Sequence, residues 1–123
     1  MARRFFILGS VFGLLGVAGG AFAAHSLRDH LSAELLNVFE TGIRYQMYHA
    51  FALLAAGWGL EKYRSRHFER AGWAFVAGVA LFSGSLYIMA VTGIRWVGII
   101  TPFGGVAFLA GWGFMATGFW KLQ

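Results

Sequence analysis

Long runs without charged residues constrain the fold of this chain more than any other feature. Residues 5–24 are twenty consecutive residues without Asp, Glu, Lys or Arg, and residues 71–94 and 96–120 lack these types and His as well. At about 1.5 Å per residue, twenty helical residues cross the roughly 30 Å hydrocarbon core of a bilayer. A shorter run, 45–60, is interrupted by His49 alone among these residue types. The sequence therefore predicts membrane-spanning helices.

The predicted fold class is an all-α membrane protein, a four-transmembrane-helix bundle that forms one integral membrane domain over residues 1–123. Its spans are expected at about 5–24, 41–60, 71–94 and 97–120. The composition of 59% hydrophobic and 12% charged residues is far too apolar for a soluble domain of this length. The chain contains no cysteine, which excludes disulfides, zinc thiolates and thiol catalysis.

The positive charges form short clusters between the apolar runs, which is typical of a topology signal rather than of a nucleic-acid-binding surface. Seven fall on one side of the predicted bundle: Arg3, Arg4, Lys62, Arg64, Arg66, Arg70 and Lys121. Three fall on the other side: Arg28, Arg44 and Arg95. The positive-inside rule then predicts that both termini and the 61–70 loop are cytoplasmic. Nucleic acid is not expected as a partner.

The first apolar run also permits interpretation as a secretory signal peptide cleaved after Ala21-Phe22-Ala23. The apolar region of such peptides is typically about 7–15 residues long. The run here is longer, and its glycines follow a helical pattern. We therefore interpret it as a span that is retained.

The glycines of the first span are spaced by four, three and four residues, which places them on one helical face. They are Gly9, Gly13, Gly16 and Gly20. In lipid, small residues let two helices approach closely and gain dispersion energy. This face is therefore predicted to pack against another helix. Ala107 and Gly111 repeat the motif on a smaller scale in the fourth span.

The segment between the first two spans changes character. Over residues 27–40, Leu27, Leu31 and Leu35 recur at helical spacing with charged residues between them. One interpretation is a short amphipathic helix in the first outer loop that lies in the membrane interface. The alternative is a longer second helix whose first turns protrude into water. The predicted fold includes the amphipathic helix.

Polar residues of the spans concentrate in the outer half of the predicted bundle. The candidate site residues are His25, Arg44, Tyr45, Gln46, His49, Ser85, Tyr87 and Thr101. Polar groups at this depth are costly unless they face protein or water, so they are expected to point inward. One hypothesis is a hydrogen-bond network that sets the helix register. The other is a site for a small polar or amphipathic ligand, such as a quinone, a lipid or an anion.

The segment around Pro102 has two interpretations. Proline either kinks a helix that begins at Trp96, or lies in the first turn of a helix capped by Thr101. In the second case the free N–H groups of residues 103–105 point toward the polar residues. Either helix is long enough to reach residue 120 across the membrane.

Metal, haem and catalysis are not expected. Of the four histidines only His49 lies inside a predicted span, whereas haem needs ligands at fixed depth on facing helices. No nucleophile with a base and an orienting group, no carboxylate pair within the membrane and no phosphate-binding loop is recognisable in the sequence. The sequence thus predicts no cofactor and no enzymatic activity.

Four segments resemble a known family. They are "GGAFAAHSL" (19–27), "FETGIRYQMYHAFALL" (39–54), "FSGSLYIMAVTG" (82–93) and "GIITPFGGVAFLAGW" (98–112). Together they resemble the small inner-membrane proteins of the domain of unknown function 423 family, which are YgdD-like and have eukaryotic relatives among the transmembrane protein 256 homologues. The resemblance implies a multi-pass membrane protein without an established biochemical activity.

The expected function is that of a structural or accessory component that packs within the membrane. Its expected partners are the lipid bilayer and either further copies of itself or a larger membrane complex. The alternative is a binding or transport protein with its ligand at the polar residues of the outer half.

Overall fold

The computed structural model describes residues 2–122, in which helices are joined by short turns and no strand is present. Its four long helices are α1 (Ala2–His25), α2 (Ala33–Tyr63), α3 (Arg66–Thr92) and α4 (Thr101–Trp120). Helix α3 consists of α-helix over Arg66–Gly78, a π-helical turn over Val79–Ser83 and α-helix over Gly84–Thr92. Short 3₁₀ turns, Leu27–Asp29 and Arg95–Ile99, precede α2 and α4. The helices pack in chain order, α1 on α2, α2 on α3 and α3 on α4.

Three of the helical segments are long and apolar enough to cross a membrane: Ala2–His25, Arg66–Thr92 and Arg95–Trp120. Helix α2 has 31 residues and contains the whole predicted span 41–60. Its composition is less apolar, because Arg44, Gln46 and His49 interrupt the hydrophobic sequence. The all-helical prediction is confirmed, and three of its helices have the length and composition of membrane spans.

The predicted separate amphipathic helix over residues 27–40 is wrong. Only the three residues Leu27–Asp29 form a 3₁₀ turn there, and α2 begins at Ala33. The Ser32 hydroxyl caps α2 by accepting a hydrogen bond from the Leu35 N–H at 3.1 Å. No proline follows before residue 63, so the helix continues into the apolar part of the chain. The alternative of a longer second helix describes the structure.

Pro102 lies in the first turn of α4, so it does not kink a helix that begins at Trp96. The cap residue is Ile100 rather than the predicted Thr101. The N–H groups of Phe103 and Gly104 donate to the Ile100 carbonyl at 3.1 and 3.4 Å. These two N–H groups are therefore not free to bind an anion, because the 3₁₀-like turn at the helix start already engages them.

The predicted glycine face of α1 packs on α2 in part. A Cβ atom at Gly9 would lie 2.9 Å from the Ala50 carbonyl oxygen, and one at Gly16 would overlap Met47. At Gly20 it would meet Ile43 at an ordinary 3.7 Å, and at Gly13 it would meet nothing within 4 Å. The tight contacts are thus at Gly9 and Gly16, with a further one at Gly19, where a Cβ atom would lie 2.6 Å from Ile43 Cδ1, and Gly13 falls outside them.

Helices α3 and α4 pack where phenylalanines of α3 lie against glycines of α4, through the ring at Phe68 and Phe75 and through the backbone at Phe82; this contact is here called the Phe–Gly interface. It pairs Phe68 with Gly118, Phe75 with Gly111 and Phe82 with Gly104. Both sets are spaced by seven residues, so successive contacts stay on one seam of the antiparallel pair. Of the predicted packing pair, Gly111 is buried against the Phe75 ring, whereas Ala107 is only half-buried because α4 buries the face of Gly104, Gly111 and Gly118.

Candidate functional site

The amide of Gln46 links three helices. Its Nε2 donates to the Phe12 carbonyl of α1 at 2.8 Å, and its Oε1 accepts a hydrogen bond from the Tyr87 hydroxyl of α3 at 2.6 Å. Gln46 is 5% exposed. A buried amide is stable there because its donor and its acceptor are both used. The helical spacing of α2 places Gln46 between α1 and α3, where both partners are reachable.

The imidazole of His49 joins α2 to α4. Its Nδ1 lies 2.6 Å from the Tyr45 carbonyl oxygen, and its Nε2 lies 3.0 Å from the Trp112 indole nitrogen. An indole N–H only donates, so Nε2 accepts and the ring proton is on Nδ1. The ring also stacks on Phe108, with 3.6 Å between centroids. His49 is therefore held as a neutral ring with both nitrogens engaged.

Two serines of α3, Ser83 at the end of its π-helical turn and Ser85 just after it, bond to neighbouring helices. The Ser83 hydroxyl donates to the Gly42 carbonyl of α2 at 2.7 Å. Ser85 donates to the Phe82 carbonyl at 2.9 Å and lies 2.6 Å from the Thr101 hydroxyl at the start of α4. Because Ser85 has one proton and uses it on Phe82, the Thr101 hydroxyl donates to Ser85. A π turn shifts the register of the following residues, which directs these hydroxyls to both sides.

The structure brings together most of the predicted site residues, but in three separate groups. These groups form the buried polar cluster: Gln46 with Tyr87, His49 with Trp112 and the Tyr45 carbonyl, and Ser83 and Ser85 with Thr101. Two predicted residues lie outside it. Arg44 is exposed and donates to the Thr41 hydroxyl at 3.0 Å, and His25 is exposed at the end of α1.

Trp112 and Phe108 complete the surroundings of His49, and the sequence interpretation did not assign them to the site. A signal existed for Trp112, since an indole N–H within an otherwise apolar helix needs an acceptor when it is not at the interface. Phe108 gives no comparable signal, because a phenylalanine in an apolar span looks the same whether it faces a partner or lipid.

A lateral groove is lined by residues of α2, α3 and α4. Its volume is about 420 Å³. The lining is mostly aromatic and consists of Tyr45, Tyr48, His49, Phe82, Gly105, Phe108, Leu109 and Trp112. Tyr48 is 55% and Leu109 is 73% exposed, so the groove opens to the side of the helices. Its size is in the range of small-molecule sites in proteins.

One ion pair joins the first turn of α2 to the 3₁₀ turn before α4. The Arg95 guanidinium donates to both carboxylate oxygens of Glu34, at 2.7 and 3.3 Å. The hydrogen bond and the charge of Arg95 lower the pKa of Glu34 from its usual value of 4.5. The same contact raises the pKa of Arg95. Within residues 2–122, no three His, Asp or Glu side chains lie close enough together to hold a metal ion.

Comparison with known proteins gives consistent matches. The family model described as "Protein of unknown function (DUF423)" matches residues 19–105. The UPF0382 membrane protein SSP2132 of Staphylococcus saprophyticus is 45% identical over 120 residues, which is 98% of this chain and 99% of the relative.

Two further relatives come from other bacteria. The UPF0382 membrane protein YwdK of Bacillus subtilis is 46% identical, over 89% of this chain and 90% of the relative. The UPF0382 inner membrane protein YgdD of Escherichia coli K12 is 36% identical, over 100% of this chain and 95% of the relative. No solved structure matches the chain.

Proposed function

Because the chain belongs to the DUF423 family of membrane proteins, whose function is unknown, we propose its role from its geometry. It is a structural or accessory component of the membrane that acts by packing rather than by catalysis. The observation that carries this proposal is the mutual pairing of the buried polar side chains. They bind one another and backbone carbonyls, and they do so between helices.

Within a membrane, an unpaired polar group costs several kcal/mol, whereas a paired one holds two helices in register. Gln46, His49, Ser83 and Ser85 are buried and hydrogen-bonded. Within residues 2–122, the buried side-chain nitrogen or oxygen atom that lacks a partner is His67 Nδ1, far from this cluster in the first turn of α3. A cluster so fully engaged is suited to a structural role.

The proposal includes four spans with both termini in the cytoplasm of a cell with an inner membrane, as the name of the Escherichia coli relative suggests. The end of the bundle with seven Lys and Arg residues then faces the cytoplasm. Since the chain has no cysteine, single cysteines test this directly. An impermeant maleimide should label Asp29→Cys in intact cells and Lys62→Cys only after permeabilisation. The reverse pattern, or labelling of both in intact cells, contradicts the arrangement.

Native mass spectrometry tests the accessory role. The protein is extracted from its own membranes in polymer-bounded discs that keep neighbouring proteins and lipids. The expected result is a stable assembly, either of several copies or with another membrane protein, without a bound small molecule. A monomer without a partner overturns the accessory role.

The lateral groove supports a second candidate, binding of an amphipathic molecule that enters from the bilayer. Rings line most of its wall, and they favour a flat or isoprenoid-like apolar group. The Tyr45 and Tyr48 hydroxyls supply polar contacts at the groove for the other end of such a molecule.

The same mass spectra distinguish the two candidates through one pair of variants. Tyr48→Leu changes the groove wall, and Phe51→Leu changes an equally exposed ring of α2 that does not line the groove. A bound small molecule that is lost in Tyr48→Leu and kept in Phe51→Leu establishes the binding function. Identical spectra for wild type and both variants exclude it.

A further inference from the structure

A second cleft lies at the basic end of the bundle, away from the buried polar cluster and the lateral groove. Its volume is about 360 Å³, and Arg66, Glu69, Arg70 and Trp73 line it. Arg66, Arg70 and Trp73 are spaced by four and three residues, so they form one face of the first two turns of α3. The Trp73 ring is 39% exposed.

The other helices end around this cleft. The Phe5 ring packs edge-on against Trp73 with 5.2 Å between centroids, which brings the start of α1 beside the cleft. Phe68 packs on Phe119 with 4.9 Å between centroids, which brings the end of α4 to the start of α3. This end of the bundle therefore combines the basic residues of α1, α2, α3 and α4.

The net charge of the protein is concentrated at this end. Seven Lys and Arg residues are opposed here by two carboxylates, Glu61 and Glu69, which leaves five positive charges. At the other end Arg28, Arg44 and Arg95 are balanced by Asp29, Glu34 and Glu40. The formal charge of +5 therefore belongs to the end that contains the cleft.

The two arginines of the cleft are free for a ligand. Within residues 2–122, the ion pair is Arg95 with Glu34, so neither Arg66 nor Arg70 forms a direct ion pair with Glu69. A guanidinium presents a planar set of donors that matches two phosphate oxygens. An exposed indole is favoured at the headgroup level of a membrane, which is where the end of a spanning helix emerges.

We propose that this cleft binds the phosphate of an anionic phospholipid. Arg66 and Arg70 contact the phosphodiester, and Trp73 packs against the glycerol and the first acyl carbons. Glu69 lies beside them and disfavours a headgroup with its own carboxylate, whereas it accepts hydrogen bonds from hydroxyls. Phosphatidylglycerol is thus preferred over phosphatidylserine. The inference rests on the spanning arrangement proposed above, but not on which end is cytoplasmic.

Lipid binding in detergent, followed by native mass spectrometry, tests the site. The probes are phosphatidylglycerol and phosphatidylcholine with identical chains. Arg66→Gln with Arg70→Gln should reduce phosphatidylglycerol affinity roughly tenfold or more, since both phosphate contacts are lost. The control Lys62→Gln with Lys121→Gln removes the same charge from the same end outside the cleft, and should leave affinity within about twofold. Equal losses in both variants, or no preference for phosphatidylglycerol in the wild type, overturn the proposal.

Two further measurements do not depend on the arginine variant. Glu69→Gln should raise the affinity for phosphatidylserine relative to phosphatidylglycerol, and an unchanged ratio contradicts the assigned role of Glu69. Inorganic phosphate in excess should not displace the bound phosphatidylglycerol, because it lacks the apolar contacts to Trp73. Displacement at equal concentrations identifies a site for free anions and overturns the lipid assignment. Labelling of Lys62→Cys and Asp29→Cys, described above, reports separately on the spanning arrangement.

Discussion

Helix α3 is joined to its two neighbours by different physical means. Toward α4 it forms the Phe–Gly interface, in which phenylalanine rings or backbone occupy the space that a side chain larger than glycine would fill. Toward α2 it adds buried hydrogen bonds, from Tyr87 to Gln46 and from Ser83 to the Gly42 carbonyl. One contact depends on shape and the other on polar pairing. The first should be most sensitive to added atoms, and the second to the removal of a single polar partner.

The largest effect is expected at Gly104, where the two backbones are closest. A Cβ atom there would overlap the Phe82 backbone and lie 2.7 Å from its Cα atom. Because backbone cannot move aside as a side chain does, Gly104→Ala should cost about 3 kcal/mol of stability. Unfolding in mixed detergent micelles, followed by circular dichroism, measures this cost.

Gly105 provides the matched control, since a Cβ atom there would meet nothing within 4 Å. Gly105→Ala should be neutral or slightly stabilising, because alanine is the better helix former. Equal destabilisation by both substitutions would show that close backbone approach is not what holds α4.

A smaller effect is expected at the hydrogen-bonded contact. Gln46→Leu leaves the Tyr87 hydroxyl and the Phe12 carbonyl without their partner, and should cost about 1–2 kcal/mol. Adding Tyr87→Phe removes the stranded hydroxyl, so the double variant should be less unstable than the sum of the two single variants. Strictly additive losses in this double-mutant cycle would mean that the pair contributes no coupling.

The hydrogen bond between Trp112 of α4 and His49 of α2 should contribute still less to stability. Trp112→Phe removes the N–H donor to His49 Nε2 and should cost about 0.6 kcal/mol, the average of interhelical hydrogen bonds in membranes. The ¹⁵N shifts of the His49 ring should report a proton on Nδ1 in the wild type. Trp120→Phe makes the same change at a residue that is 89% exposed and should alter neither quantity. A wild-type proton on Nε2 contradicts the assigned tautomer.

Breaking the ion pair between Glu34 and Arg95 should have the smallest effect on stability, because both side chains are exposed and screened by solvent. The pKa of Glu34 is lowered in the folded protein, so its contribution is present above pH 4.5 and is lost as the pH falls through the lowered value. The stability difference between wild type and Glu34→Gln should therefore disappear in acid and in high salt. A difference that persists in acid excludes this ion pair as its source.

The helices themselves were largely predictable from sequence. Uncharged runs of the right length marked α1, α3 and α4, whereas proline left two possible starts for α4, of which the structure has the one with Pro102 in the first turn. The loop before α2 was harder, because the spacing of its leucines suits an interfacial helix and the start of a longer helix equally. The Ser32 cap decides between them, and a cap is recognisable only once the backbone around it is known.

The candidate site was predictable in its members more than in its connections. The depth predicted for each residue in the membrane identified five site candidates that are hydrogen-bonded in the structure: Gln46, His49, Ser85, Tyr87 and Thr101. Depth did not indicate that Gln46 meets Tyr87 or that His49 meets Trp112. Nor did it exclude Arg44, which lies on the exposed side of α2 and pairs locally with Thr41.

The sequence by itself determined where the apolar segments lie and how charge is divided between the two ends. These properties are sums over many neighbouring residues, so they can be obtained without knowing which helices face each other. Only the tertiary structure decided that Phe82 packs on Gly104 and that a Cβ atom at Gly13 would have no neighbour within 4 Å. It also decided that residues of the buried polar cluster pair with one another. Such contacts depend on the rotation and distance of two helices within about an ångström, and hydropathy is the same for every rotation.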